Sequence, residues 1–262
     1  MTMSNPWVWD QTAIAPFYDI FYSDPIYQAF YDNSGFANFG YWDTGITSGK
    51  QASERLVEIV AAQIDKPNGV LLEVGCGAGA STKWLCDNLP GLDVVAINID
   101  PAQVRQARER APEAEILVMD GANLEFEDDQ FDVILSVEAP FHFDTRENFF
   151  SEAHRVLRPG GRMAVADILL ASGSPLSPRA NHVTGGASGY AHKLALAGFQ
   201  EINVEDVTQR TWRSFRRHFS DFITRDPATA LSMGGMRALT TINVNSSYAI
   251  RNYVIANCTA LA

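Results

Sequence analysis

Positive charge is in short supply in this chain. Across 262 residues, 20 Lys and Arg face 31 Asp and Glu, for a formal net charge of −11. A surface of that sign repels a phosphate backbone, so nucleic acid is not expected as a main partner. Cysteine is scarce as well. Cys76, Cys86 and Cys258 are spaced neither as metal ligands nor as a disulfide framework, so no metal is expected. Three scattered thiols suit a reducing compartment and predict a cytoplasmic protein. Long apolar runs are missing: none approaches the roughly 20 residues of a membrane span. The first residues, with Asp10 among them, show no basic stretch leading into an apolar one, so no signal peptide is expected. Repeats and low-complexity tracts are absent too. The apolar fraction of 46% and charged fraction of 19% are those of an ordinary globular chain, long enough for one large domain or a domain with a cap.

What the chain does have is a glycine-rich turn after an apolar run. Val70 to Val74 reads as a strand buried in a parallel sheet, with one acid, Glu73, near its end. Gly75, Gly77 and Gly79 let the backbone turn sharply and approach a ligand with no Cβ in the way. A helix starting near Ala80 aims its N–H groups and positive dipole end at the same place. The ligand this predicts is a small molecule with a carboxylate, phosphate or ribose. Gly75, Gly77 and Ala80 also satisfy the G-x-G-x-x-G/A dinucleotide fingerprint, so a nicotinamide or flavin cofactor is an alternative. A tight turn holding nothing is another.

Downstream, apolar strands alternate with amphipathic helices. Strands are predicted at 70–74, 92–99, 115–119, 131–137, 162–170, 199–207 and 251–259. Helices are predicted at 51–65, 80–89, 101–110, 144–157, 187–197 and 211–225, with Asp144 and Glu147 at capping-box spacing in the fourth of these. This is an α/β, doubly wound, mostly parallel seven-stranded sheet, with the last strand pair forming an antiparallel edge. Ligands in such sheets sit at the carboxyl ends of the strands, which here are Glu73, Asn98, Asp120, Glu138 and Asp167. Residues 1–49 stand apart: thirteen aromatics lie between Trp7 and Trp42 without a sustained period. They are predicted to form a helical cap or lid on a domain spanning 50–262, packing on it or lining an apolar pocket. A lid insertion is expected at about 209–247. Its helix carries Trp212, Phe215, Phe219, Phe222 and Ile223, with Arg213, Arg216, Arg217 and Arg225 elsewhere. A lid over an acceptor is the expected role; arginines gripping an anionic acceptor are an alternative.

Four runs, in order and spacing, resemble the class I S-adenosylmethionine-dependent methyltransferases. They are Leu72-Glu73-Val74-Gly75-Cys76-Gly77-Ala78-Gly79, Phe131-Asp132-Val133-Ile134, Leu157-Arg158-Pro159-Gly160-Gly161-Arg162 and Asn38-Phe39-Gly40-Tyr41-Trp42. The last looks like the lid opening of the branch with sterol and tocopherol methyltransferases and sugar or polyketide O-methyltransferases. The resemblance is good over about 36–170 and loose elsewhere. It implies a Rossmann-like Class I fold and S-adenosyl-L-methionine as cofactor, leaving as S-adenosyl-L-homocysteine. It also implies cofactor contacts at Tyr41 and Trp42, at Glu73, Gly75, Cys76, Gly77 and Gly79, at Asn98, Ile99 and Gln103 for the ribose, at Asp120, Gly121 and Ala122 for adenine, and at Glu138. Asn98 is a departure, since many relatives carry an acid there; an amide can still donate and accept to a diol. Asp120 is open to a second reading, as the cap of its own turn.

A hydroxyl acceptor must lose its proton, which calls for a base. His142, following the fourth strand, and Asp167, inside the fifth, are the candidates, with Asp167 orienting the imidazole as in related sugar O-methyltransferases. Glu138 is a rival base. The plain alternatives are a loop histidine packed between Phe141 and Phe143, and an aspartate bonded to backbone. The expected function is O-methylation of an apolar small-molecule acceptor, a polyketide or glycosylated natural product. C-methylation of a terpenoid or prenyl diphosphate is the rival within enzymes, and a non-catalytic nucleotide-binding module the rival outside them. A homodimer is left open.

Overall fold

The computed structural model describes residues 22–66, 68–171, 181–225 and 250–261. In chain order these form α1 (Pro25–Phe30), α2 (Gly49–Ala61), β1 (Gly69–Val74), α3 (Ala80–Asn88), β2 (Leu92–Asn98), α4 (Pro101–Arg110), β3 (Glu115–Val118) and β4 (Phe131–Val137). Then follow α5 (Arg146–Val156), β5 (Leu157–Leu170), α6 (Gly186–Leu196), β6 (Gln200–Asp206), α7 (Ser214–Arg225) and β7 (Ile250–Ala260). The strands make one sheet in the order β3-β2-β1-β4-β5-β7-β6. β1 to β5 run parallel, and β7 is antiparallel to both neighbours.

Side-chain alternation divides the sheet between two helical layers. Leu71, Val133, Leu135, Ala164 and Ala166 face one core with Leu56 and Val60 of α2 and Phe215 and Phe219 of α7. Leu72, Val74, Ile134, Met163 and Val165 face the other with Phe149 and Phe150 of α5 and Tyr190 and Leu194 of α6. Both faces are covered, as an all-apolar parallel strand requires. No helix among the described residues is long and apolar enough to cross a membrane.

The last two strands form the expected antiparallel edge: β7 is inserted between β5 and β6, and β6 is outermost. β7 is buried along most of its length while β6 is mostly exposed. Two expectations need correction. Thr145, not Asp144, caps α5, its Oγ1 accepting the Asn148 amide at 3.2 Å. And β5 starts at Leu157, where it pairs with Phe131 across a register shift, so Pro159-Gly160-Gly161 lies within a strand rather than before one.

The aromatic N-terminal segment meets the basic aromatic helix. Phe30 on α1 packs edge-on against Phe215, Phe219 and Phe222 of α7 at centroid distances of 5.7, 5.0 and 5.5 Å. These rings are core. Residues 1–21 of the expected cap and 226–247 of the expected lid insertion lie outside the described residues.

Candidate active site

A cavity with about 980 Å³ of atom-free space, part of it open to solvent, sits beyond the carboxyl ends of β1, β2 and β4. Its floor is the glycine turn. The amides of Gly75 and Cys76 both donate to the Ile97 carbonyl, at 2.9 and 3.0 Å, tying the turn to β2. Gly77 N donates to Asn98 Oδ1 at 3.2 Å, and Asn98 Nδ2 donates to Gln103 Oε1 at 3.1 Å. One amide side chain thus joins the turn to the first helical turn of α4. Ile99 and Gln103 complete this side of the cavity. At Gly75, with φ +83°, a Cβ would come within 2.3 Å of the Ala139 Cβ; at Gly77, with φ +54°, it would come within 2.8 Å of the Tyr22 hydroxyl. Neither position accepts a side chain without displacing its neighbour.

Tyr22 lies over that turn and carried no signal in the sequence beyond belonging to an aromatic cluster. Burial pushes its phenol up to about 12, so the hydroxyl stays neutral. Asp120 and Gly121 line the adjacent wall. Asp120 Oδ1 accepts the Ala122 amide at 2.9 Å, so this carboxylate does cap its own turn while also facing the cavity. Ala122 itself does not line it.

The remaining wall follows β4. Glu138 sits at φ +52°, an uncommon conformation for a residue with a Cβ. Its Oε1 accepts the Phe39 amide at 2.7 Å and the Tyr253 hydroxyl at 2.8 Å, linking the N-terminal segment, β4 and β7. Burial pushes its carboxyl up to about 8, with the Asp167 charge adding to the shift against these two hydrogen bonds. Between pH 4.5, the ordinary value, and about 8 the folded chain keeps a proton that the unfolded chain has released. Stability therefore falls as pH rises through that window, by up to about 1.4 kcal/mol per pH unit. Chemical denaturation of Glu138→Gln, which mimics the protonated acid, is expected to show that slope removed; an unchanged slope would show that Glu138 is not its source. His142 ends a short 3₁₀ turn, Pro140–His142, faces the cavity half-buried, and lies 3.8 Å from the Phe141 ring.

Several expected contacts are not at this cavity. Tyr41 and Trp42 are packed inside: Tyr41 N donates to Ala52 O and Trp42 N to Arg210 O, both at 2.8 Å, and the Trp42 ring stacks on His218 at 4.0 Å. Phe36, Ala37 and Asn38 take the place expected of them. Glu73 is buried behind the glycine turn, accepting from Thr82 Oγ1 at 2.6 Å. Burial raises its pKa, against the hydrogen bonds from Ser81 and Thr82. Gly79 turns away from the cavity and packs on Ala107.

Asp167 is the largest correction. It is fully buried, and its oxygens accept from Arg146 Nε at 2.6 Å, Arg146 Nη2 at 3.3 Å, Tyr190 Oη at 2.9 Å and Ile168 N at 2.7 Å. None of these donors is His142. A carboxylate in an apolar strand needs a cationic partner, and here that partner is the equally buried Arg146 on α5. Asn181 is drawn into the same network. Its Oδ1 accepts the Arg146 amide at 2.7 Å, and its Nδ2 reaches the Phe141 and Phe143 carbonyls at 3.3 and 2.6 Å. The backbone on both sides of His142 is therefore anchored from behind.

Glycines that a Cβ would close, carboxamides at the end of β2 and an aspartate at the end of β3 form a donor and acceptor set that fits an adenosyl amino acid. The chain matches a family model described as a methyltransferase domain over residues 72–165. It is similar to the 27-O-demethylrifamycin SV methyltransferase of Amycolatopsis mediterranei, 31% identical over 195 residues that cover 68% of this chain and 71% of that one. The chain belongs to the class I S-adenosylmethionine-dependent methyltransferases. The erythromycin 3''-O-methyltransferase of Saccharopolyspora erythraea is 30% identical over 196 residues, 66% of this chain and 64% of that one. The matched stretches span 51% to 71% of the lengths of the first curated relatives. Among solved structures, the [4+2]-cyclase SpnF shares the methyltransferase fold with a TM-score of 0.74 at 22% identity, covering 96% of this chain and 97% of that one. Among the described residues, no group of three or more His, Cys, Asp and Glu could hold a metal ion.

Proposed function

We propose that this methyltransferase acts in the cytoplasm on a hydroxyl of an apolar small molecule, a polyketide or glycosylated natural product, and releases S-adenosylhomocysteine. The observation that carries this reading is one cavity bounded by the glycine turn and Asn98 on one side and by His142 and Glu138 on the other. The similarity to an erythromycin O-methyltransferase and a demethylrifamycin methyltransferase supports it.

When bound, S-adenosylmethionine supplies a methyl group already activated as a sulfonium. The turn Gly75–Gly77 would hold its amino-acid end. Asn98 and Gln103 would hold the ribose: each amide has hydrogen-bonding capacity left after the bonds described above. Asp120 and Gly121 would hold the adenine. His142 would accept the proton of the acceptor hydroxyl, and a positioned acceptor oxygen would contribute several kcal/mol more. Tyr41, Trp42, Glu73, Gly79 and Ala122 support this wall from behind. Residues 1–49 cap the acceptor space over the domain 50–262, with the insertion at about 209–247 beside it. No nucleic acid takes part.

The second reading, C-methylation, is favoured by Glu138, a largely protonated acid at neutral pH that stands against the cavity with Tyr253 behind it. The two readings separate on where a labelled methyl goes. With methyl-labelled cofactor and a panel of hydroxylated macrolides and glycosides, a methyl ether is expected, and a new carbon–methyl bond would move the base to Glu138. S-adenosylhomocysteine binding without transfer to any acceptor would leave a binding module.

Gly77→Val is expected to weaken S-adenosylhomocysteine binding at least tenfold by calorimetry. A β-branched residue at positive φ costs about 1–3 kcal/mol, and its side chain reaches the space of Tyr22. Unchanged affinity would remove the turn from the site.

A further inference from the structure

Outside the active site, α7, the turn before it and the start of β7 border a second cleft that opens to solvent, with about 950 Å³ of atom-free space, open solvent included. Four guanidinium groups line it, from Arg213, Arg216, Arg217 and Arg251, together with the hydroxyls of Thr208 and Ser220 and the indole of Trp212. Among the described residues, no acid is in the lining. Four arginines drawn together on a chain of net charge −11 are not an accident of composition. Among the described residues, Arg213, Arg217 and Arg251 form no ion pair. Two acids stand near the cluster: Asp221, four residues beyond Arg217, and Asp206, which feels the Arg213 charge while its oxygens are bonded to Asn252 at 2.7 Å and to Thr208.

Like charges held together at this density repel unless an anion joins them. Arginine is the side chain whose planar fork matches phosphate oxygens two at a time, and the Ser220 hydroxyl lies at the same mouth, whereas the Thr208 hydroxyl already donates to Asp206. We infer that this cleft is a binding site for a phosphate or diphosphate group, separate from the cofactor cavity. The shared chemistry is the dianion; it can come from a free phosphate or from the phosphate ester of a larger ligand. The cleft backs onto the active-site wall: Thr208 Oγ1 accepts the Tyr253 amide at 2.8 Å, and Tyr253 donates its hydroxyl to Glu138.

The test is calorimetric titration of the full chain with inorganic pyrophosphate at low and at physiological salt. Pyrophosphate is expected to bind, more weakly at higher salt, and without displacement by saturating S-adenosylhomocysteine. The triple variant Arg213→Gln, Arg217→Gln, Arg251→Gln changes exposed side chains only. It should lose at least tenfold in pyrophosphate affinity and keep wild-type affinity for S-adenosylhomocysteine. Arg251→Gln alone provides a milder variant with an intermediate loss. An alkyl diphosphate that binds tighter than pyrophosphate would assign the anion to a larger ligand, and equal affinity would assign it to a free phosphate. Absence of binding to the wild-type chain, displacement by S-adenosylhomocysteine, or undiminished binding to the triple variant would each overturn the inference.

Discussion

Replacing His142 with alanine is expected to slow the methyl-transfer step by about 10²–10⁴-fold, the usual contribution of a positioned proton acceptor. The imidazole stands on the 3₁₀ turn after β4 and faces the cavity. Its removal leaves the glycine turn, Asn98 and Asp120 untouched, because those groups sit on other strand ends. The affinity for S-adenosylhomocysteine should therefore stay near that of the unaltered chain while the single-turnover rate falls. Rapid-quench measurement of that rate, alongside calorimetry, separates the two quantities. A variant that turns over at the full rate would return His142 to a packing role against Phe141 and leave Glu138 as the proton acceptor. The pH profile then adds a second check: a rate governed by ionised Glu138 rises as pH increases through about 8.

Asp167→Ala is expected to destabilise the fold by about 3–5 kcal/mol, because it strands a buried guanidinium. Arg146 and Asp167 are both fully buried, and Tyr190, Ile168 and Asn181 complete their hydrogen bonds. Equilibrium denaturation measures the loss directly. Replacing both partners with apolar residues of similar volume, Arg146→Met with Asp167→Leu, should recover part of it, since the stranded charge is then gone. The network also carries the two carbonyls that flank His142, through Asn181. The Asp167→Ala chain should thus lose rate as well as stability. A loss of less than about 1 kcal/mol would show that the pair is not holding this part of the fold together.

These two expectations differ in how far the sequence could support them. The strands β1 to β4 and the turn after β1 were legible, because short apolar runs closed by Gly or Pro have few other structures open to them. The cavity residues Gly75, Gly77, Asn98, Asp120, Glu138 and His142 were legible for a related reason: each stands at or just past the carboxyl end of a parallel strand, and Gln103 follows in the first turn of the next helix. Asp167 was legible as unusual but not in its role. An acid inside an apolar run signals a partner, yet the partner is a helix residue that only the packing of α5 on the sheet brings within 2.6 Å. Tyr41 and Trp42 share that difficulty. Aromatic residues near a lid are equally suited to a pocket and to a core, and the choice was made by Ala52 on the next helix and by Arg210 and His218, which lie far away in the sequence. Tyr22 had no periodic pattern to mark it. The antiparallel edge made by the last strand pair was legible, but not the order within it: burial places β7 inside and β6 outside.

The measurement that bears most directly on the central claim is the stoichiometry of one reaction. The full chain is incubated with S-adenosylmethionine and a hydroxylated macrolide, and S-adenosylhomocysteine and methylated acceptor are counted together by mass spectrometry. The account predicts one S-adenosylhomocysteine for each acceptor carrying a new methyl ether, with both products falling in parallel in His142→Ala. Tight S-adenosylhomocysteine binding with no methylated acceptor across the panel would contradict it.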